Sequence, residues 1–233
     1  MKEIWIGEFG WEVALLYPKI CHNSSNGLVL STFRSSFPLY KDLDVQLEDN
    51  GRTVSEASCG HNKTKMKGNT IREIRKDIQP KKLNKIAIHL RSFENRKAGR
   101  NWRPNQEFVF EMLKSTGYEL VFIGLPDLSL AHSSGEDKRT VDLNKTIEEI
   151  KSSKLVFGIS SGAIVLSTWC NTPVFTWGDD GRHMCGKSYK TSFWNPFNVA
   201  VYHPFKGEYE KKKIEIDKDI IDKKINDCIA DLK

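Results

Sequence analysis

The chain has no long apolar run: no window in its 233 residues approaches the roughly 20 apolar residues of a membrane span. The N-terminus, MKEIWIGEFG, also lacks the apolar stretch of a secretory leader after its basic residue. Cysteine is sparse and unpaired in pattern. Cys21, Cys59, Cys170, Cys185 and Cys228 form an odd set with no CxxC and no zinc-ligand spacing, which argues against a disulfide framework and a structural zinc site. The expectation is a cytoplasmic protein with reduced thiols, with peripheral membrane contact left open. Internal repeats and low-complexity tracts are missing too, which excludes solenoids and linker-like chains. Charge of one sign does not dominate: 36 Lys and Arg face 30 Asp and Glu, and the pI is about 9.0. That excess favours an anionic partner, such as a nucleoside diphosphate, a sugar phosphate, a lipid headgroup or DNA, without choosing among them.

What is present is an ordinary globular balance, 39% hydrophobic and 28% charged, with enough aromatics for a packed core. KEIWI at 2–6 predicts a strand that ends in the glycine-rich turn GEFG, and 11–20 has helical apolar spacing. LVLST at 28–32 predicts a second strand. The polar stretch 42–67 predicts loops, with a short strand near Val45. A basic amphipathic helix is expected over 70–79, stopped by Pro80. After QPKKLNK, the run KIAIHLRS reads as a strand buried on both faces. Helix (105–116), strand (118–124), helix (146–152), strand (154–160), helix (163–170) and strand (173–178) follow. Such alternation predicts a doubly wound parallel sheet. The last stretch, 211–233, has the spacing of a surface helix. Two units are expected, a reduced N-terminal one over 1–80 and a larger one over 81–233.

The stretch 142–178 carries the most chemical information. A strand runs into Ser160, Ser161 and Gly162, and a helix starts at once, so unpaired first-turn N–H groups and two hydroxyls face the crevice together. Helix starts of this kind bind phosphate, and a glycine lets an anion approach the backbone. The same residues also suit a plain serine cap and turn. Arg91, at the carboxyl end of the KIAIHLRS strand, is the best-placed cation of 88–102, because guanidinium holds phosphate in two-point contacts. The loop 178–197, rich in Gly, Asp, His and aromatics, follows the last strand and is expected to line a site; Gly178, Asp179 and His183 are its candidates. The spacing of Asp179, Asp180 and His183 fits no strong metal motif, and no metal is expected.

At these residues the sequence resembles the GT-B glycosyltransferases, in particular the ADP-heptose:lipopolysaccharide heptosyltransferase family. The family's C-terminal pattern is matched by Asp142, Leu143, Thr146, Ile147, Ile150, Ser153, Leu155, Gly158, Ser161, Gly162, Thr172, Pro173 and Gly178, about a third of the chain. The resemblance implies two facing Rossmann-like α/β/α domains, the N-terminal one reduced, with the C-terminal helix packed on the surface. It also implies that Ser160, Ser161, Gly162 and Ala163 hold the donor diphosphate. Two positions depart from the pattern: Ser160 stands for the family's acid, and Val165 for its first-turn histidine. Lys97 and Arg100 with Trp102 resemble the family's cationic loop, which contributes a side chain to the donor phosphates.

In GEFGWEVALLYP, Glu12 lies six residues before Pro18, as the family's proposed general base does, and Trp11 replaces the glycine before it. The resemblance thus implies Glu12 as the base that deprotonates an acceptor hydroxyl, with Glu8 of the same loop as its rival and Gly10 and Trp11 beside the pocket. Glu12 also suits a first-turn acid that complements the helix dipole. The implied activity is inverting transfer of a hexosyl or heptosyl group from a nucleoside-diphosphate-sugar to a hydroxyl. No cofactor is expected, since the nucleotide-sugar is a substrate. A glycan, lipid-linked or nucleic-acid acceptor and a homo-oligomer are left open. A non-catalytic nucleotide- or glycan-binding protein and a DNA-modifying sugar transferase are the alternatives.

Overall fold

A computed structural model of the chain describes residues 2–4, 9–24, 27–52, 70–92, 107–159, 161–177, 194–203 and 218–232. The described strands fall into two sheets. The first is parallel and three-stranded in the order β1 (Lys2–Ile4), β2 (Leu28–Thr32), β3 (Val45–Asp49). A helix joins β1 to β2: α1 (Phe9–Trp11) passes through a π-helical turn (Glu12–Leu16) into α2 (Tyr17–Asn23). A 3-10 helix (Arg34–Tyr40) joins β2 to β3.

The second sheet is built on β4 (Lys85–Arg91), β5 (Glu119–Phe122), β7 (Glu136–Asp137), β8 (Leu155–Ile159), β9 (Val174–Trp177) and β10 (Val201–Tyr202). Its order is β10-β9-β8-β4-β5-β7, all parallel, and the two-residue β6 (Ser129–Leu130) pairs antiparallel with the end of β4. Alternation along these strands explains the near-continuous apolar runs. Ile86, Ile88, Leu90, Leu120, Phe122, Leu155, Phe157 and Phe175 face one core, while Ala87, Val121, Val156 and Val174 face another. The first core is closed by α3 (Phe108–Ser115) and α6 (Lys218–Asp231), which buries Ile221, Ile225, Cys228 and Ile229. The C-terminal helix therefore packs as a covering layer.

The other core is shared by the two halves. Val13, Tyr17, Ile20, Phe33, Leu39 and Tyr40 from the N-terminal half pack with Ile147, Ile150, Ile164, Leu166 and Trp169 of α4 (Leu143–Ser152) and α5 (Gly162–Trp169). The architecture is α/β and GT-B-like, two Rossmann-like halves, with three strands among the described residues of the reduced N-terminal one.

The helix expected over 70–79 is not formed. Its backbone amides are spent elsewhere: Thr70 N donates to Pro18 O and Ile74 N to Trp169 O, and Arg75 takes a left-handed φ of 51°. Only a turn remains at 74–77. The segment instead straps the halves together. Lys151 forms an ion pair with Glu73, both largely buried, and Lys82 Nζ donates to Ser153 O at 2.8 Å and Thr172 Oγ1 at 3.2 Å. Burial, helped by the Lys151 charge, pushes Lys82 down to about 8 against the raising effect of Cys170 and Glu73. Smaller departures affect edges: β6, β7 and β10 have two residues each and leave no periodic signal.

Candidate functional site

The chain order fixes where a ligand site belongs. From the central strand β4 the chain moves outward through β5 and β7, then returns to the other side of β4 as β8. Ligands of doubly wound sheets bind outside the carboxyl ends of the strands flanking such a reversal. Here those ends carry His89 and Arg91 on β4 and the Ser161–Gly162 helix start after β8.

The helix start has an unusual arrangement. Ser161 has the extended backbone of an N-cap (φ −150°, ψ 177°), yet its hydroxyl makes no capping bond to its own helix. Its Oγ lies 3.1 Å from His89 Nδ1 instead. Among the described residues the first-turn amides of α5 are thus without a side-chain cap, the condition under which a helix start attracts an anion. Ser161, Gly162 and Ala163 are all partly exposed, while Ile164 to Cys170 are buried. Val165, which takes the place of the family's histidine, is core at 3% exposure.

The N-terminal half meets this spot directly. A Cβ on Gly162 would come within 2.8 Å of Phe9 Cδ1, and one on Gly10 within 3.3 Å of Gly162 Cα and 3.7 Å of Val165 Cγ2. Gly10 and Gly162 are the residues that let the α1 turn and the α5 start touch backbone to backbone. Phe9 and Gly10 of the N-terminal half thus abut the α5 start, with Phe9 against one side of it.

Glu12 is placed differently from an exposed base. It is fully buried, and both carboxyl oxygens receive hydroxyls: Thr32 Oγ1 at 2.5 Å and Tyr40 OH at 3.1 Å on Oε1, and Ser36 Oγ at 2.8 Å on Oε2. Burial raises the Glu12 pKa to about 7 against the lowering effect of these three partners. In this arrangement Glu12 ties the π-helical turn to β2 and the 3-10 helix, and presents no oxygen to solvent. Glu12 is also the acid in the first turn of the π-helical stretch, as the first-turn reading has it.

Of the other residues named from sequence, Arg91 stands at the end of β4, partly buried, on the same strand face as His89. Gly10 sits at the contact just described, and Trp11 follows it within α1. Glu8, Ser160, Lys97, Arg100, Trp102, Gly178, Asp179 and His183 lie outside the described residues. No group of His, Cys, Asp and Glu able to hold a metal occurs among the described residues. No helix among them is long and apolar enough to cross a membrane.

The residue that sequence reasoning passed over is His89. Burial, with the Arg91 charge nearby, pushes its imidazole down to about 4, so it is neutral at ordinary pH. A signal was available: a histidine interrupts the apolar stretch Ile86–Leu90 two positions before Arg91, on the same face of the strand.

By class, this fold is GT-B-like, built from two Rossmann-like halves. Among solved structures, the heptosyltransferase TibC, dodecameric and iron-containing, in complex with ADP-D-beta-D-heptose, superposes with a TM-score of 0.64 at 12% identity. That match covers 100% of this chain and 76% of the other. A second structure of TibC, from enterotoxigenic E. coli, gives a TM-score of 0.59 at 12% identity over 99% and 75% of the two chains. No family model and no curated protein matches the sequence. At this identity the likeness carries the fold.

Proposed function

We propose that the chain is a glycosyltransferase that takes a hexosyl or heptosyl group from a nucleoside-diphosphate-sugar and passes it to an acceptor hydroxyl with inversion. One observation carries the reading most. The α5 start is uncapped by its own serine, partly exposed, and placed at the strand reversal where Arg91 also ends its strand. The amides of Gly162 and Ala163, the Ser161 hydroxyl and Arg91 would bind the diphosphate, with Ser160, Lys97 and Arg100 completing the anion site. In the reaction the acceptor oxygen attacks the anomeric carbon, a base takes its proton, and the C–O bond to the diphosphate breaks with its electron pair on the departing nucleotide. Amides and guanidinium that meet the growing negative charge lower the barrier. Trp102, Gly178, Asp179 and His183 are assigned to the walls around donor and acceptor.

A base must touch the acceptor hydroxyl. Since Glu12 is enclosed by three hydroxyls, the contact falls to Glu8, and Glu12 holds the turn that bears the loop. Glu8→Gln is expected to lower kcat by about 10²–10⁴ with nucleotide binding intact; Glu12→Gln should retain most of it. The reverse order would return the base to Glu12.

The burial of Glu12 also supports a second reading, a non-catalytic nucleotide- or glycan-binding protein on the same fold. A panel of ADP-, UDP- and GDP-sugars with thermal-shift and turnover assays separates the two. Binding with turnover supports the transferase, and binding without turnover across the panel supports the binder. The similar TibC structure is described as a dodecamer, which supports a homo-oligomer here, and light scattering tests it.

A further inference from the structure

Two glycines flank His89 at points where a side chain would strike it, Gly158 on β8 and Gly124 just past the end of β5. In register, His89 stands opposite Gly158 of β8, and a Cβ there would lie 2.7 Å from His89 O and 3.3 Å from His89 Cβ. On the other side, Gly124 follows β5 with φ +125°, and its Cβ would meet His89 Cδ2 at 2.8 Å, His89 Nε2 at 3.1 Å and Ser129 Oγ at 2.7 Å. His89 is thus flanked by Gly158 against its backbone and Cβ and by Gly124 against its ring, with Nδ1 3.1 Å from Ser161 Oγ. Ser129 Oγ is committed as a donor to Leu125 O at 2.6 Å.

Ser161 has one proton to give. If that proton goes to the imidazole, the hydroxyl turns only lone pairs toward an anion at the helix start, which repels it. If the imidazole donates, the Ser161 proton is free to point outward. The uncapped helix start makes the second arrangement the useful one, because the anion would then receive an O–H as well as the first-turn amides.

We propose that His89 is a positioning residue of the diphosphate site: its Nδ1–H donates to Ser161 Oγ and so turns the Ser161 hydroxyl proton toward the bound diphosphate. This rests on the nucleotide-sugar reading above and adds the residue that orients the serine. Neutral imidazole suits the task, since it holds its single proton on the nitrogen that faces Ser161, and the low pKa keeps it in that form.

The test measures binding of ADP and UDP to the full chain by calorimetry, for the wild type, His89→Asn, His89→Gln, Ser161→Ala and the His89→Gln/Ser161→Ala pair. The asparagine amide nitrogen reaches the Nδ1 position, whereas that of glutamine reaches toward Nε2. Ser161→Ala and His89→Gln are each expected to weaken the tighter nucleotide about tenfold. The double variant should be no worse than either alone, and His89→Asn should stay within about threefold of wild type. A merely structural histidine would lower Tm without this rescue pattern. Additive losses in the double variant, or unchanged affinity in His89→Gln, overturn the proposal and leave the nucleotide reading standing. A wild type that binds neither nucleotide overturns both. Should the variants fail to fold, long-range ¹H–¹⁵N NMR on the wild type reads the tautomer directly: protonated Nδ1 is expected, and protonated Nε2 with bare Nδ1 overturns the assignment.

Discussion

Glu12 and His89 both lie close to the junction of the halves, and desolvation drives both toward neutrality, the carboxyl up and the imidazole down. Their surroundings differ. Glu12 is enclosed by three hydroxyls from its own half, with no exposed surface. Among the described residues His89 has one hydroxyl partner, and that partner sits on the partly exposed helix start. A carboxylate in a sealed hydroxyl cage fastens structure, whereas an imidazole under a rim serine can act on what the serine touches. A family position alone would have ranked them the other way.

The largest expected effect breaks the cage. Glu12→Ala leaves Thr32, Ser36 and Tyr40 without their acceptor in the core and should cost about 3–5 kcal/mol, read by urea unfolding at pH 6. A loss below about 1 kcal/mol would mean that the cage is wet and the carboxyl accessible.

The next sharpens the contrast through pH. The folded pKa of Glu12, about 7, lies above its ordinary 4.5, so the folded state holds the extra proton between them. Stability should therefore fall as pH rises from about 4.5 through 7, by on the order of 3 kcal/mol. Glu12→Gln should remove that fall. His89 runs oppositely: its folded pKa of about 4 lies below 6.5, so stability rises with pH across that window and His89→Asn flattens the rise. Chemical denaturation from pH 4 to 8 on the three proteins checks both signs.

A smaller effect comes from the glycine opposite His89. Gly158→Ala would force a Cβ to 2.7 Å from a backbone oxygen and should cost about 1–3 kcal/mol, seen as a lowered Tm, with nucleotide affinity falling as His89 shifts. Smallest is Ser161→Ala, at a partly exposed position, where stability should change by less than about 1 kcal/mol while nucleotide affinity drops. Equal changes in stability and affinity at this position would erase the distinction between rim and core.

Much of the second sheet was legible because its central strands are buried on both faces, which writes β4, β5, β8 and β9 as apolar runs. The helix start at Gly162 was legible from the strand–Ser–Gly–apolar order. Asp142, matched only as part of a pattern, turns out to cap α4 by accepting from Asn144 N at 3.0 Å. The segment 70–79 misled because helical spacing in sequence does not reveal that its amides pair with Pro18 and Trp169. The sealing of Glu12 was equally hidden, since its three hydroxyl partners stand 20, 24 and 28 residues away. Long-range pairing leaves no local period to read. His89 was given no role for a third reason, that the two glycines bracketing it are far away in sequence, on β8 and just past β5.

The account depends on an anion seated at the start of α5. A crystal structure of the full chain with ADP or UDP tests it most directly. The prediction is a phosphate oxygen within hydrogen-bond reach of Ser161 Oγ and the Gly162 and Ala163 amides, with Arg91 beside it. A nucleotide whose phosphates lie elsewhere, with Phe9 and Gly10 still closed over an empty helix start, would contradict it.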